Sequence, residues 1–215
     1  MTKKIILAFF VFISISSIQA QVDVVGGMGI SFVYNPSLND YIEYNWADEE
    51  VQPFSSTAEF YGEVDYTISP KYQLGFEYVY ALYGYSSFKY NTNYKLDYSH
   101  HKPSILGYYV ISGEGYKFKF GGGLGLRTVE LTESIGTTEE GAEKFSTMGF
   151  GLLGRIQGHT ALGGNFYANI GSTMRYDAPG EPANGESKLH DTLTNEDVNI
   201  NSFSVSVNIG LSYFF

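Results

Sequence analysis

The chain has 215 residues, no cysteine, only 6 Pro, 25 Gly, and an aromatic content carried by 19 Tyr and 16 Phe against one Trp. The absence of cysteine excludes a disulfide framework, a lipid-modified cysteine and thiol chemistry. A formal net charge of −10 argues against nucleic acid as a partner.

In chain order, Lys3 and Lys4 precede an apolar run from Ile5 to Ile15, which gives way to small and polar residues up to Ala20. This is the layout of a cleaved secretory signal peptide over residues 1–20, cut between Ala20 and Gln21. The run is shorter than the roughly 20 apolar residues a spanning helix needs, and no later stretch meets that length. Residues 21–215 are expected to form one domain.

From Val22 the apolar period is two, which predicts strands. Val22, Val24, Met28, Ile30 and Phe32 oppose Asp23, Gly27, Gly29 and Ser31. Phe60, Val64 and Tyr66 oppose Glu59, Glu63 and Asp65, and Leu74, Phe76 and Tyr78 oppose Gln73, Gly75 and Glu77. A fourth strand ending near Ile111 is blurred by Pro103, which cannot donate to a ladder. Phe118, Phe120, Leu124 and Leu126 alternate with Lys117, Lys119 and Arg127. Phe150, Leu152 and Ile156 alternate with Gly151, Arg155 and Gln157. Phe166, Ile170 and Met174 alternate with Asn169, Thr173 and Arg175. Finally Phe203 to Phe215 alternates with Ser204 to Ser212. Most runs reach the roughly 9–11 residues of a tilted membrane-crossing strand. Short turns are expected at 69–71, 112–115 and 158–164, and long loops at 35–56, 84–102, 131–144 and 177–199.

Alternation alone does not say which face is buried, because a soluble ligand-holding barrel alternates too. The apolar face carries aromatics near strand ends (Tyr34, Tyr66, Tyr72, Tyr116, Tyr213), where membrane girdles sit, and the polar face is rich in Gly and Ser rather than Lys and Glu. The apolar face is therefore expected outward. The fold class is all-β: an eight-stranded antiparallel up-and-down transmembrane β-barrel with short periplasmic turns and long extracellular loops.

At the C-terminus, Asn208, Gly210, Tyr213 and Phe215 resemble the polar–x–Gly–x–x–aromatic–x–aromatic β-signal of bacterial outer-membrane proteins. The whole of 21–215 resembles the small OmpA/OmpX/OmpW-like barrels. The Ala20–Gln21 junction and Tyr/Asn-rich loops resemble a Bacteroidota protein. The resemblance implies residence in the outer membrane among its lipid and lipopolysaccharide, and recognition of the signal by the barrel-assembly machinery.

The inward face is where charge collects. Glu59, Glu63, Asp65 and Glu77 lie on the second and third strands, and Lys117, Lys119, Arg127, Arg155 and Arg175 on the fifth to seventh, so the two sets face across a narrow lumen. Arg155 is expected near Glu63 or Glu77, and Arg175 near Glu59. Two readings stay open, a salt-bridged plug and a gated narrow pore for small or apolar solutes.

No cofactor, metal-ligand or catalytic set is read from the sequence. His100, His101, His159 and His190 are expected to be solvated, and His101 and Ser104, three apart on a strand, face opposite ways. An acyl-modifying enzyme is a third reading. Acids crowd loops one, three and four, including Asp40, Glu133, Asp177 and Asp197, against Lys144 and Lys188. They suit divalent bridging to lipopolysaccharide or capture of a basic partner. Loop 84–102 is expected to form two short strands whose Phe88, Tyr90, Tyr94, Leu96 and Tyr98 offer an apolar edge to a surface protein. A monomeric, non-enzymatic surface barrel serving envelope integrity or adhesion is the leading expectation.

Overall fold

The computed structural model describes residues 22–46, 55–89, 91–136, 142–191 and 193–215. The expected leader lies outside them. Eight long strands form the barrel: β1 (Val22–Tyr34), β2 (Ser56–Ser69), β3 (Tyr72–Lys89), β4 (Thr92–Gly113), β5 (Tyr116–Ile135), β6 (Glu143–Gly163), β7 (Phe166–Ala178) and β12 (Ser202–Phe214). A helix, α1 (Pro36–Asn45), follows β1. Between β7 and β12 lie the two-residue strands β8 (Ala183–Asn184), β9 (Ser187–Lys188), β10 (His190–Asp191) and β11 (Glu196–Asp197). Each long strand pairs antiparallel with its neighbours in sequence, and β12 returns to β1, closing the ladder.

The alternation resolves as apolar-out. Phe76, Leu124, Phe150, Ile170 and Leu211 on five different strands are 55–70% exposed, while Ser31, Glu59, Glu77, Arg127 and Arg175 are buried within the ring. A continuous apolar wall of this kind suits lipid and not water. At the end with the short turns, aromatics meet across strands: Tyr72 and Tyr109 with ring centroids 5.8 Å apart, Phe166 and Tyr213 at 4.9 Å, Tyr213 and Phe215 at 4.7 Å. Among the described residues no helix is long and apolar enough to cross a membrane.

Several expected boundaries move. The segment 84–102 is no loop with separate strands, because β3 and β4 stay paired without a break as far as Lys89 opposite Thr92. Alternation persists there but inverts. Gly84, Ser86, Lys95 and Asp97 face out, and Tyr85, Tyr94, Leu96 and Tyr98 are buried facing in. The open apolar edge expected of Tyr94, Leu96 and Tyr98 is thus covered, and Phe88, opposite Asn93, lies on the other face. Tyr90 lies outside the described residues. β5 and β6 lengthen likewise, so β3–β6 stand as a wall above the apolar band. The third short turn narrows to residues 164–165, because β6 continues to Gly163. Around Pro103 the β4–β5 register skips from His101 to Ser104, as a residue without N–H requires, while β3 keeps pairing across it.

The segment after β1 holds α1. Asn35 Oδ1 accepts from Leu38 N at 3.0 Å and Pro36 occupies the first turn, both favourable starts. Leu38, Tyr41 and Ile42, spaced three and four apart, make its buried face.

Candidate functional site: a charge-filled lumen beneath an apolar cap

The lumen is filled by side chains from all eight long strands. Towards the short-turn end, Lys119 Nζ lies 2.6 Å from Asp65 and 3.0 Å from Asp23, and Lys117 Nζ lies 2.7 Å from Asp23. At mid-height Arg155 spans two acids, with Nη1 at 2.5 Å from Glu63 Oε2 and Nη2 on Glu77. Its Nε donates to Thr173 Oγ1 at 2.9 Å. Tyr108 donates its hydroxyl to the other Glu63 oxygen at 2.9 Å, and Arg175 Nη2 donates to Glu77 at 2.9 Å. Higher up, Lys102 Nζ lies 2.9 Å from Glu59 and 3.6 Å from Asp177, and Arg127 Nε is paired with Asp177.

Six carboxylates thus meet six cations, and each of the six cations has a carboxylate partner. Such balance is what a confined, low-dielectric interior demands, since an uncompensated charge there is costly.

Tyrosines fill the remaining width where glycines admit them. A Cβ at Gly210 would meet Tyr61 Oη, and one at Gly27 would meet the Tyr61 ring and the backbone of β12. Gly121 is likewise covered by the Tyr108 ring. Of the four residues that resemble a β-signal, Asn208 and Gly210 face the lumen, and Tyr213 and Phe215 join the outer aromatic cluster.

Above the charges sits an apolar cap. Leu38, Tyr41 and Ile42 of α1 pack with Tyr85, Tyr94, Leu96, Tyr98, Val129, Leu131 and Phe145 of the wall and with Leu189, Val198 and Ile200 of the last loop. The Trp46 ring stacks on Tyr94 at 4.3 Å. Glu133, 7% exposed, accepts a hydrogen bond from the Tyr41 hydroxyl at 2.5 Å, and burial raises its carboxyl above the usual range. The Tyr41 hydroxyl is pushed up in turn by burial and by the nearby carboxylate.

No protein-family profile matches the chain, and no curated protein matches it in sequence. The likeness is structural. Neisserial surface protein A superposes with a TM-score of 0.50 at 14% identity, over 90% of this chain and 97% of that one. Ail of Yersinia pestis, the attachment invasion locus protein, gives 0.55 at 12%, over 92% and 100%. A major outer membrane protein of Thermus thermophilus gives 0.53 at 10%, over 90% and 99%. The chain has the fold of the small outer-membrane β-barrels.

In this outer-membrane barrel some residues lie where the sequence did not place them. Arg175 pairs with Glu77 and not with Glu59, because β4 carries Lys102 into the lumen one position diagonal to Glu59. Lys102 and Asp177, assigned to loops, are buried members of the network, and Asp23 belongs to it too. Glu133 is buried in the cap, so the outer surface is less acidic than the loop count suggested.

His100 and His159 are buried inward-facing residues rather than solvated ones. His101 faces out beside the Tyr78 hydroxyl at 2.5 Å, and His190 is exposed beside Asp197. Strand parity held the missing signal: Lys102 shares its face with Ser104, Asp177 with Arg175, and His159 with Arg155. Acids expected at 47–54 and 137–141 lie outside the described residues.

Proposed function

We propose that the protein is a closed, non-enzymatic surface barrel that presents its cap and the β3–β6 wall for envelope integrity or adhesion. The observation that carries this reading is the double closure of the lumen, by balanced ion pairs along its height and by an apolar cluster across its mouth. A conducting path needs mobile water and weakly held charges, whereas these side chains hold one another.

The histidines give no support to an acyl-transfer centre. Ser104 Oγ is committed to the Lys102 carbonyl and Arg127. His159 Nδ1 lies 2.8 Å from Ser212 Oγ, but Asn169 Nδ2 sits 3.3 Å from both ring nitrogens instead of orienting the far one, and all three residues are buried. Two structural relatives bear names of surface and attachment proteins, which favours the adhesion reading. One structure of Ail holds a heparin analogue, sucrose octasulfate. The outer surface here carries Asp40, Glu181, Glu186 and Glu196, so a basic partner fits it better than a polysulfated one.

Purified protein in planar bilayers tests the reading. The expected record is a silent membrane. Steady conductance that changes when Lys102 or Arg127 is neutralised would overturn it in favour of the narrow channel.

A further inference from the structure

The upper lumen holds more hydrogen-bond donors than its ion pairs use. Three cations, Lys102, Arg127 and Arg175, stand there with two carboxylates, Glu59 and Asp177. Arg175 reaches the lower Glu77 through Nη2 alone. Arg127 gives Nε to Asp177, and Nη1 to Ser104 Oγ and the Leu126 carbonyl. Among the described residues nothing accepts from Arg127 Nη2, Arg175 Nε or Arg175 Nη1, although the two side chains are at most 1% exposed. His100, equally buried, adds a fourth nitrogen. Its Nδ1 lies 2.8 Å from the Tyr98 hydroxyl, and a hydroxyl donating there leaves the ring proton on Nε2, which also has no partner. The charged groups around this ring are Lys102, Asp177, Arg127 and Arg175, so the four nitrogens belong to one tier of the lumen. Tyr98 above it belongs to the cap, and the Arg155 pairs lie beneath.

We propose that this tier binds one small monovalent anion, a halide, between Arg127, Arg175 and His100. A buried N–H without an acceptor carries the full penalty of its lost hydration, and here four nitrogens share that need. The tier has one more cation than carboxylate, which favours an anionic guest over a neutral one.

Water serves such a site less well. Each water that accepts from these groups must place two protons of its own, and Glu59 Oε2 is the one carboxylate oxygen of the tier without a partner among the described residues. A halide only accepts, and takes several N–H groups at once. The narrow interior of an eight-stranded barrel, already crowded by side chains, suits a single atom better than an oxyanion. The site does not depend on the closed-barrel reading, because a bilayer record reports conduction and the measurements below report occupancy.

The test refolds the full chain from urea into one detergent at fixed ionic strength, with sodium chloride or sodium bromide replacing sodium gluconate. For a single site, the ratio of folded to unfolded protein at a fixed urea concentration should rise about tenfold for each tenfold of halide above its dissociation constant. Arg175→Lys keeps a cation for Glu77 but removes Nε and Nη1, and His100→Leu removes the imidazole; both should abolish the dependence. A folded-to-unfolded ratio that ignores halide in the unaltered protein overturns the proposal, and so does an equal dependence in the two variants. Crystals of the unaltered protein grown in bromide give a check that needs no variant. An anomalous peak between Arg127, Arg175 and His100 is expected, and ordered water there with no such peak, or bromide at the surface only, overturns the assignment.

Discussion

Replacing Arg155 by leucine removes the hydrogen bond to Thr173 and the ion pairs to both Glu63 and Glu77. Glu63 keeps the Tyr108 hydroxyl, and Glu77 keeps Arg175. One carboxylate charge is then left over in a closed lumen, and breaking a buried pair in this way costs about 3–5 kcal/mol. The choice of second mutation matters. Arg155→Leu with Glu63→Leu leaves Glu77 and Arg175 as an intact neutral pair, so it should recover about 1–3 kcal/mol of the loss, the usual coupling of residues in one network. Arg155→Leu with Glu77→Leu removes the carboxylate that holds Arg175, and should recover less. The assay is equilibrium unfolding in urea in a single fixed detergent, followed by gel migration of folded and unfolded bands. Strictly additive losses in both cycles would refute the reasoning and would mean that the lumen charges are solvated independently.

The cap should respond separately from the barrel. Ile42→Ala is expected to loosen it by about 2–5 kcal/mol, read as a change in fluorescence of Trp46, the chain's one tryptophan, while barrel migration on gels stays unchanged; loss of the folded band would mean that cap and barrel unfold as one. Because burial raises the Glu133 carboxyl, the cap gains stability from that group at low pH and loses it as pH rises from about 4.3 upward through the folded value. Glu133→Gln should therefore stabilise the cap at neutral pH and flatten this dependence, and a Trp46 signal with the same pH profile in both proteins would count against it. Deleting Phe215, whose N–H bonds to the Val22 carbonyl and whose ring packs on Tyr213, should impair assembly far more than deleting residues 193–195, where Leu193 is exposed. Equal yields of folded barrel from the two truncations would argue against a β-signal.

Strand number, the facing of each strand and the opposition of acids and bases were legible because a period of two is a local property. Asp65 and Arg155 declare their side by the neighbours two positions away. The aromatic ends and the glycine-rich face then told lipid from water. What the sequence could not assign was anything set by stagger between strands. Whether Arg175 meets Glu59 or Glu77 depends on the register and tilt of strands on opposite sides of the ring, and the inclusion of Lys102 depends on β4 continuing through Pro103. The cap was hidden for a related reason. Leu38, Ile42, Leu189, Val198 and Ile200 are scattered over two polar segments far apart in the chain, and they become a cluster only once barrel closure brings both segments over one mouth. The sequence by itself determined a lipid-facing barrel with charge inside; tertiary structure alone decided which charges pair and that the lumen is covered, because both follow from contacts between strands remote in sequence.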